Sequence, residues 1–159
     1  MRFSVTTVSC IRAFLAIAIC QSTLTGCGTL PAKDSVAQGI VGAWFVKIPE
    51  APFPYHMLIF NADGTMLQSN PDAGDPRSSD SNGMGAWVTE GNRVVGKFVE
   101  VTADRTTRAF ASRGEISFEI DVTGDAINGA GSARFYDVNG AVNGGPVAFT
   151  LSGVRVQPR

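Results

Sequence analysis

The chain has 159 residues, the length of one ordinary domain. Its 13 basic and 14 acidic residues give a formal net charge of −1, so no strongly basic face is expected and nucleic acid is excluded as a partner. The three cysteines, Cys10, Cys20 and Cys27, all lie near the N-terminus. We therefore expect no disulfide and no cysteine-based zinc site in the remainder of the chain.

The N-terminal residues have the pattern of a secretory signal. Arg2 and Arg12 come first, and residues 13–20, AFLAIAIC, then form a purely apolar run. A basic start followed by a short apolar stretch is typical of such signals. The run is too short to cross a bilayer as a mature helix, which takes about 20 residues.

Residues 24–27, LTGC, resemble the bacterial lipobox. The resemblance implies cleavage before Cys27, a diacylglyceryl thioether on its sulfur, and usually an acylated amine. Several acyl chains anchor a protein stably where one anchors it weakly. By the same resemblance to Gram-negative lipoproteins, Gly28 in place of Asp implies the outer membrane if the host has one. The other interpretation is an ordinary signal peptide in which Cys27 is incidental.

These observations divide the chain into three expected parts. Residues 1–26 are the lipoprotein signal peptide, residues 27–39 a lipidated tether with little periodicity, and residues 40–159 the folded domain. The mature chain would keep 14 acidic and 11 basic residues, a formal charge of −3. The expected location is the cell envelope, with the membrane as a partner through the N-terminal lipid.

The folded part reads as a series of β-strands. Turn signals at residues 61–64 (NADG), 91–92 (GN) and 124–125 (GD) separate consecutive runs at hairpin spacing. Many short strands with Gly-rich turns predict a β-sandwich or a barrel. We predict strands over residues 40–48, 55–60, 65–69, 85–90, 93–102, 107–122, 126–138 and 147–156.

Strand pairing favours the barrel. A two-residue turn at residues 91–92 places Trp87 opposite Gly96, and one at residues 124–125 places Phe118 opposite Gly131. Large side chains thus cover glycines across the strands, as cross-strand packing requires. We predict an all-β, eight-stranded antiparallel up-and-down barrel. The interior of such a barrel holds one small ligand or is filled by side chains.

One end of the barrel is expected to be closed by Trp44 and Arg155. Strand direction and side-chain alternation place both residues at the same end, where a cation–π contact could form. The motifs GAW at 42–44 and SGVRV at 152–156 resemble the closed-end signature of the lipocalin/calycin families. The further motifs F-NADGT at 60–65 and G-GAW at 83–87 are similar to small secreted, lipocalin-like bacterial proteins.

The opposite end is formed by loops 49–54, 70–82, 103–106 and 139–146. A three-residue loop at 103–105 is predicted to pair Glu100 with Arg108 and Phe98 with Phe110, all four facing inward. His56 and Asp137, at two strand ends, face the same opening. The predicted ligand-binding residues are His56, Glu100 and Arg108, with Phe98, Phe110 and Leu58 as the apolar wall. The alternative is that Glu100–Arg108 is a surface ion pair and that His56 is a partly exposed strand residue.

No nucleophile motif, metal motif or phosphate loop occurs, so no cofactor and no metal is predicted. The expected function is a membrane-anchored, lipocalin-like barrel that binds a small hydrophobic or amphipathic molecule in or at the mouth of its cup. Two alternatives stay open: an isomerase or cyclase on a similar barrel, and a filled barrel that serves as an envelope or interaction module. Gly129, Gly131 and Ala133 would leave room for a ligand unless large neighbours fill that space.

Overall fold

The computed structural model describes residues 32–69, 71 and 75–159, so the signal segment and Cys27 lie outside the described residues. One helix precedes a series of strands. The elements are α1 (Ala32–Ile40), β1 (Gly42–Lys47), β2 (Tyr55–Phe60), β3 (Thr65–Ser69), β4 (Ser78–Asp80), β5 (Gly83–Glu90), β6 (Arg93–Asp104), β7 (Phe110–Thr123), β8 (Ala126–Tyr136) and β9 (Val147–Arg155).

Eight of the strands form a closed antiparallel ring. With β4 set aside, each strand pairs with the next along the chain, so that β3 pairs with β5, and β9 pairs with β1 to close the barrel. The ninth strand, β4, pairs with the end of β6 that extends beyond β5. The predicted all-β, eight-stranded up-and-down barrel is confirmed.

The predicted registers across the two tight hairpins are also confirmed. Trp87 lies opposite Gly96, and Phe118 lies opposite Gly131. Gly96 also pairs with Phe118 on its other side, and a Cβ at Gly96 would lie 2.4 Å from Cζ of that ring. The glycine is therefore needed for the Phe118 ring to lie flat across the sheet.

The segment predicted as a tether ends in the helix α1, and the first strand begins at Gly42 rather than at Ile40. Ile40 is fully buried, and Val36 and Ala37 pack against the barrel core. These three positions share one helical face, but nine residues give too short a period to stand out in the sequence. Within the described ranges, no helix is long and apolar enough to cross a membrane.

The loop predicted at residues 70–82 contains the short strand β4. Its residues Ser78, Ser79 and Asp80 have no apolar member, so no alternation indicates a strand. Pairing with β6 forms it instead: Ser79 lies opposite Ala103, and the Thr102 hydroxyl donates to Asp80 Oδ1 at 2.7 Å.

The predicted Glu100–Arg108 and Phe98–Phe110 pairs are wrong. Glu100 lies opposite Gly114, and Phe98 lies opposite Ile116. The three-residue loop is replaced by a five-residue turn at 105–109, preceded by a register shift between Thr102 and Ala103.

Asp104 stabilises this longer turn. Its Oδ1 accepts the backbone N–H groups of Thr106 and Thr107 at 2.9 and 2.7 Å. Arg108, at a φ of 59°, completes the change of direction. The turn carries Arg108 away from Glu100 and leaves Phe110 47% exposed.

The outer face of the barrel carries an unusual set of exposed apolar side chains. Across β1, β2, β3 and β5, Phe45 lies opposite Met57, Ile59 opposite Leu67, and Leu67 opposite Met84. Each of these five side chains is at least 38% exposed. We call Phe45, Met57, Ile59, Leu67 and Met84 the outer apolar wall.

Candidate ligand-binding cavity

The end of the barrel that holds Trp44 is closed and fully packed. Trp44 is completely buried, and its Nε1 donates to the carbonyl of Ile40 at 2.8 Å. The Arg155 guanidinium lies 4.3 Å from the centroid of the indole ring, the contact expected from the sequence. Arg155 also donates to the carbonyls of Val41 and Gly39 and to Asp125. These contacts close this end of the barrel.

The middle of the barrel is filled by aromatic rings. Phe60 makes edge contacts with Trp87 and Phe118, each with ring centroids 6.0 Å apart. A Cβ at Gly131 would lie 2.3 Å from Cζ of Phe149, so this ring occupies the space that Gly131 was expected to leave for a ligand. Any ligand must therefore bind above this level.

A cavity of about 370 Å³ lies at the opposite, open end. Its polar lining consists of His56, Gln68, Asp80, Glu100 and Glu50, and its apolar lining includes Ile48, Phe98, Ile116, Ala133, Phe135 and Phe149. The loop that follows β1 contributes Ala51, Pro52 and Phe53 to its rim. A pocket of this size with apolar walls and a few polar groups is typical of small-molecule sites.

The structure brings together three of the six residues predicted to bind ligand. His56, Glu100 and Phe98 line the cavity. Leu58 faces inward and is buried, but it does not line the cavity. Arg108 and Phe110 lie outside the cavity because of the turn at 105–109.

His56 is held in one tautomer by its neighbours. The backbone N–H of Gly83 donates to Gln68 Oε1 at 3.0 Å, which orients the Gln68 amide so that its Nε2 faces His56 Nδ1, also at 3.0 Å. His56 Nδ1 must then accept, which places the proton on Nε2. That atom is buried and has no hydrogen-bond partner among the described residues. Burial lowers the pKa of His56 and favours the neutral ring; the Phe53 carbonyl offsets part of this shift, although no hydrogen bond of good geometry joins it to the ring.

Glu100 is a partly buried carboxyl group without a positive partner. Its side chain lies over Gly114, where a Cβ would be 3.1 Å from Oε1. No ion pair or hydrogen bond joins its side chain to another described residue. Burial, and to a smaller extent the nearby charge of Asp80, raise the pKa of Glu100 to about 7. At neutral pH this group can therefore either donate or accept a proton.

Several lining residues were not predicted from the sequence. Gln68 could have been, because it follows Met66 by two residues in the predicted strand 65–69 and so shares its inward face. Asp80 belongs to the unpredicted strand β4. Ala133 belongs to the small residues expected to leave room for a ligand, but no sequence signal shows at which height the barrel stops being filled. Asp137 lies away from this lining; its Oδ1 accepts the N–H groups of Asn139 and Ala141 in the turn after β8.

No protein-family model matches this chain, and no curated protein matches it. Among solved structures, the chain is similar to one titled "Crystal Structure of Rv2717c from M. tuberculosis". The two are 11% identical, and the match covers 80% of this chain and 99% of the other, with a TM-score of 0.39. A similarity of this size carries no functional argument.

Proposed function

We propose that this protein is a membrane-anchored barrel that binds a small, partly apolar molecule in the cavity at its open end. One observation carries the proposal: the packed interior gives way there to a cavity of about 370 Å³ with apolar walls and a few oriented polar groups. A cavity that served only structure would be costly, because each missing contact weakens the fold.

The size of the cavity limits the ligand. At ~30 Å³ per water molecule, the volume corresponds to about a dozen waters, which suits a molecule of similar heavy-atom count. The ring of Phe149, the cross-strand partner of Gly131, blocks deeper entry. A long acyl chain would therefore have to project out of the opening, whereas a compact molecule would be enclosed.

The binding part is tested by filling the cavity. Ala133 lines the cavity, whereas Ala130 on the same strand is exposed on the outer face. Native mass spectrometry of protein purified from its own host should show a bound small molecule in the wild type. The Ala130→Phe variant should retain it, and Ala133→Phe should lose it. A wild type without any adduct, or an adduct that Ala133→Phe retains, would contradict the proposal.

The anchoring part rests on the LTGC sequence at residues 24–27. Metabolic labelling with an alkyne fatty acid should mark the wild type, and the Cys27→Ser variant should lose both the label and its membrane association. Cys20→Ser, within the apolar run, is the matched control and should stay labelled. Label that persists in Cys27→Ser would refute the lipid anchor and leave the binding proposal intact.

A further inference from the structure

The cavity is lined by three carboxyl groups and by no positive side chain of the described chain. Glu50, Asp80 and Glu100 are the three acids. Arginines near these acids in the sequence do not line the cavity: Arg105 Nε donates to the carbonyls of Asp75 and Ser78, Arg108 lies in the turn at 105–109, and the Arg113 guanidinium stacks on Tyr136, 4.4 Å from the ring centroid. The lining therefore has an excess of negative charge.

The three acids differ in how well they are satisfied. Glu50 accepts the backbone N–H and hydroxyl of Thr150, at 3.2 and 2.9 Å. Its own backbone N–H, followed by these two groups of Thr150, lowers its pKa. Asp80 accepts the Thr102 hydroxyl. Glu100 makes no such contact with a described residue, although it is the most deeply placed of the three. A carboxylate in such a site costs free energy unless a positive group accompanies it.

His56 does not supply that positive charge. Its Nδ1 accepts from Gln68, whose amide is in turn fixed by the backbone of Gly83. Protonating Nδ1 would place two donors against each other. The remaining ring atom, Nε2, is unpartnered, and the side chain is only 9% exposed. The neutral histidine and the unpaired acid thus leave the site one cation short.

The aromatic walls suit a cation as well. Phe98, Phe135 and Phe149 all line the same cavity as Glu100. The faces of aromatic rings attract positive charge, and the attraction grows when water is excluded. An organic cation could therefore place its charge near Glu100 and its apolar body against these rings.

We propose that the ligand is an amphipathic amine whose protonated nitrogen lies between Glu100 and Asp80 and whose apolar part packs against Phe98, Phe135 and Phe149. This inference rests on the proposed binding function and specifies the chemical class of the ligand. The ammonium ion supplies the positive charge that the described lining lacks. A carboxylate of the same shape would face three acids and is excluded by repulsion.

The inference is tested with three probes that share one skeleton: 4-phenylbutylamine, 4-phenylbutan-1-ol and 4-phenylbutyrate. Calorimetric titration of the full-length protein in detergent at pH 7.5 should rank the amine first, at least tenfold tighter than the alcohol, and the carboxylate last. If the alcohol or the carboxylate binds as tightly as the amine, the charge assignment is wrong while the binding proposal stands. If none of the three binds, both proposals fail.

The Glu100→Gln variant locates the interaction. It preserves the shape of the side chain and removes a costly buried acid, so it should fold. Its affinity for 4-phenylbutylamine should fall at least tenfold, with its affinity for the alcohol within about threefold of the wild type. Glu119→Gln, on the outer face where Glu119 pairs with Arg93 at 2.9 Å, is the matched control and should bind both probes normally. Unchanged amine binding by Glu100→Gln would overturn the inference.

A pH series separates Glu100 from its neighbours. His56, Asp80 and Glu50 face the same cavity and are retained in Glu100→Gln, so their titration affects both proteins. Between pH 7.5 and 5.5 the amine affinity of the wild type should fall at least fivefold more than that of the variant, because Glu100 must lose its proton to hold the cation. Parallel pH profiles would contradict the assignment.

Discussion

The two ends of this barrel differ in whether their buried polar groups have hydrogen-bond or ion-pair partners. At the closed end, Trp44 and Arg155 are each engaged, through Nε1 to the carbonyl of Ile40 and through the guanidinium to Val41, Gly39 and Asp125. At the open end, His56 Nε2 has no partner and Glu100 has no counter-ion in the described part of the chain.

This difference suggests that one end of the sheet stabilises the fold and that the other end is suited to binding. Buried polar groups stabilise a fold when each has a partner, and they weaken it when one does not. The closed end therefore carries the features of a structural plug. At the open end, the polar groups without partners cost free energy, and a bound molecule that paired with them would remove this cost. Proteins tolerate such costs mainly at functional sites.

The largest effect is expected from Trp44→Ala at the closed end. The change removes a fully buried ring, the cation–π contact of Arg155 and the bond to Ile40, and should lower the free energy of unfolding by about 3–5 kcal/mol. Phe45→Ala, one residue along on the outer face and 46% exposed, should cost about 1 kcal/mol or less. Urea denaturation measures both. Equal losses would mean that the closed end is not the structural plug.

Arg155→Ala tests the same end without removing a large side chain. It eliminates a cation–π contact and leaves the carbonyls of Gly39 and Val41 without their guanidinium donor. We expect a loss of about 2–3 kcal/mol in the free energy of unfolding. Arg155→Lys retains the charge but not the forked geometry and should recover only part of it. Urea midpoints that match the wild type would contradict the role given to Arg155.

At the open end, replacing Glu100 should raise the free energy of unfolding, in contrast to the losses expected at the closed end. Because burial raises its pKa from 4.5 to about 7, the unfolded chain releases this proton at lower pH than the folded protein does. The contribution of Glu100 to stability should therefore fall as the pH rises from 4.5 to 7 and then stay constant. The full shift is worth at most ~3 kcal/mol, and partial exposure should reduce the loss to ~1–2 kcal/mol.

The measurement compares urea midpoints of the wild type and Glu100→Gln at pH 5 and pH 8. The variant should be the more stable protein at pH 8, with a smaller difference at pH 5. The retained His56, whose pKa is lowered by burial, destabilises both proteins as the pH falls below 6.5, and it cancels in the comparison. If the difference in stability between the two proteins is the same at both pH values, the pKa of Glu100 is not raised in the folded protein.

The smallest effect is expected from replacing Arg108, which takes no part in the polar contacts described at either end of the barrel. It is exposed in the turn at 105–109 and has a φ of 59°, a conformation that glycine adopts without strain. Arg108→Gly should change the free energy of unfolding by less than ~0.5 kcal/mol and leave ligand affinity unchanged. A tenfold loss of affinity would restore Arg108 to the binding site from which the turn removes it.

The sequence predicted those parts of the barrel where local turn chemistry determines pairing. Gly91 and Gly124, both at positive φ, mark the two tight hairpins, and the pairings that follow from them are confirmed. The turn between β6 and β7 contains no glycine, so a shorter loop looked equally acceptable. The resulting error in register placed Arg108 and Phe110 in the predicted site, from which the observed pairing excludes them.

The cavity itself could be predicted only in outline. The strand 55–60 is apolar on both faces, so alternation alone does not decide its inward set; the preferred set of His56, Leu58 and Phe60 is the one that faces inward in β2. Whether space remains for a ligand depends on how far each aromatic ring reaches across the barrel. The ring of Phe149 fills the space left by Gly131 on the neighbouring strand, which neither residue alone indicates. The Gln68–His56 contact likewise joins residues twelve positions apart on adjacent strands, beyond the reach of local patterns.

The outer apolar wall should make copies of this protein attract one another in concentrated solution. The formal net charge is small, −1 for the whole sequence and −3 without residues 1–26, so long-range repulsion between copies is weak. The exposed side chains of Phe45, Met57, Ile59, Leu67 and Met84 provide short-range attraction. The second virial coefficient in lipid-free buffer should therefore be negative. Closure of the barrel pairs the strands beneath this wall on both sides, so attraction acts face to face and does not extend the sheet. Concentrated solutions should accordingly show reversible clustering rather than fibre growth.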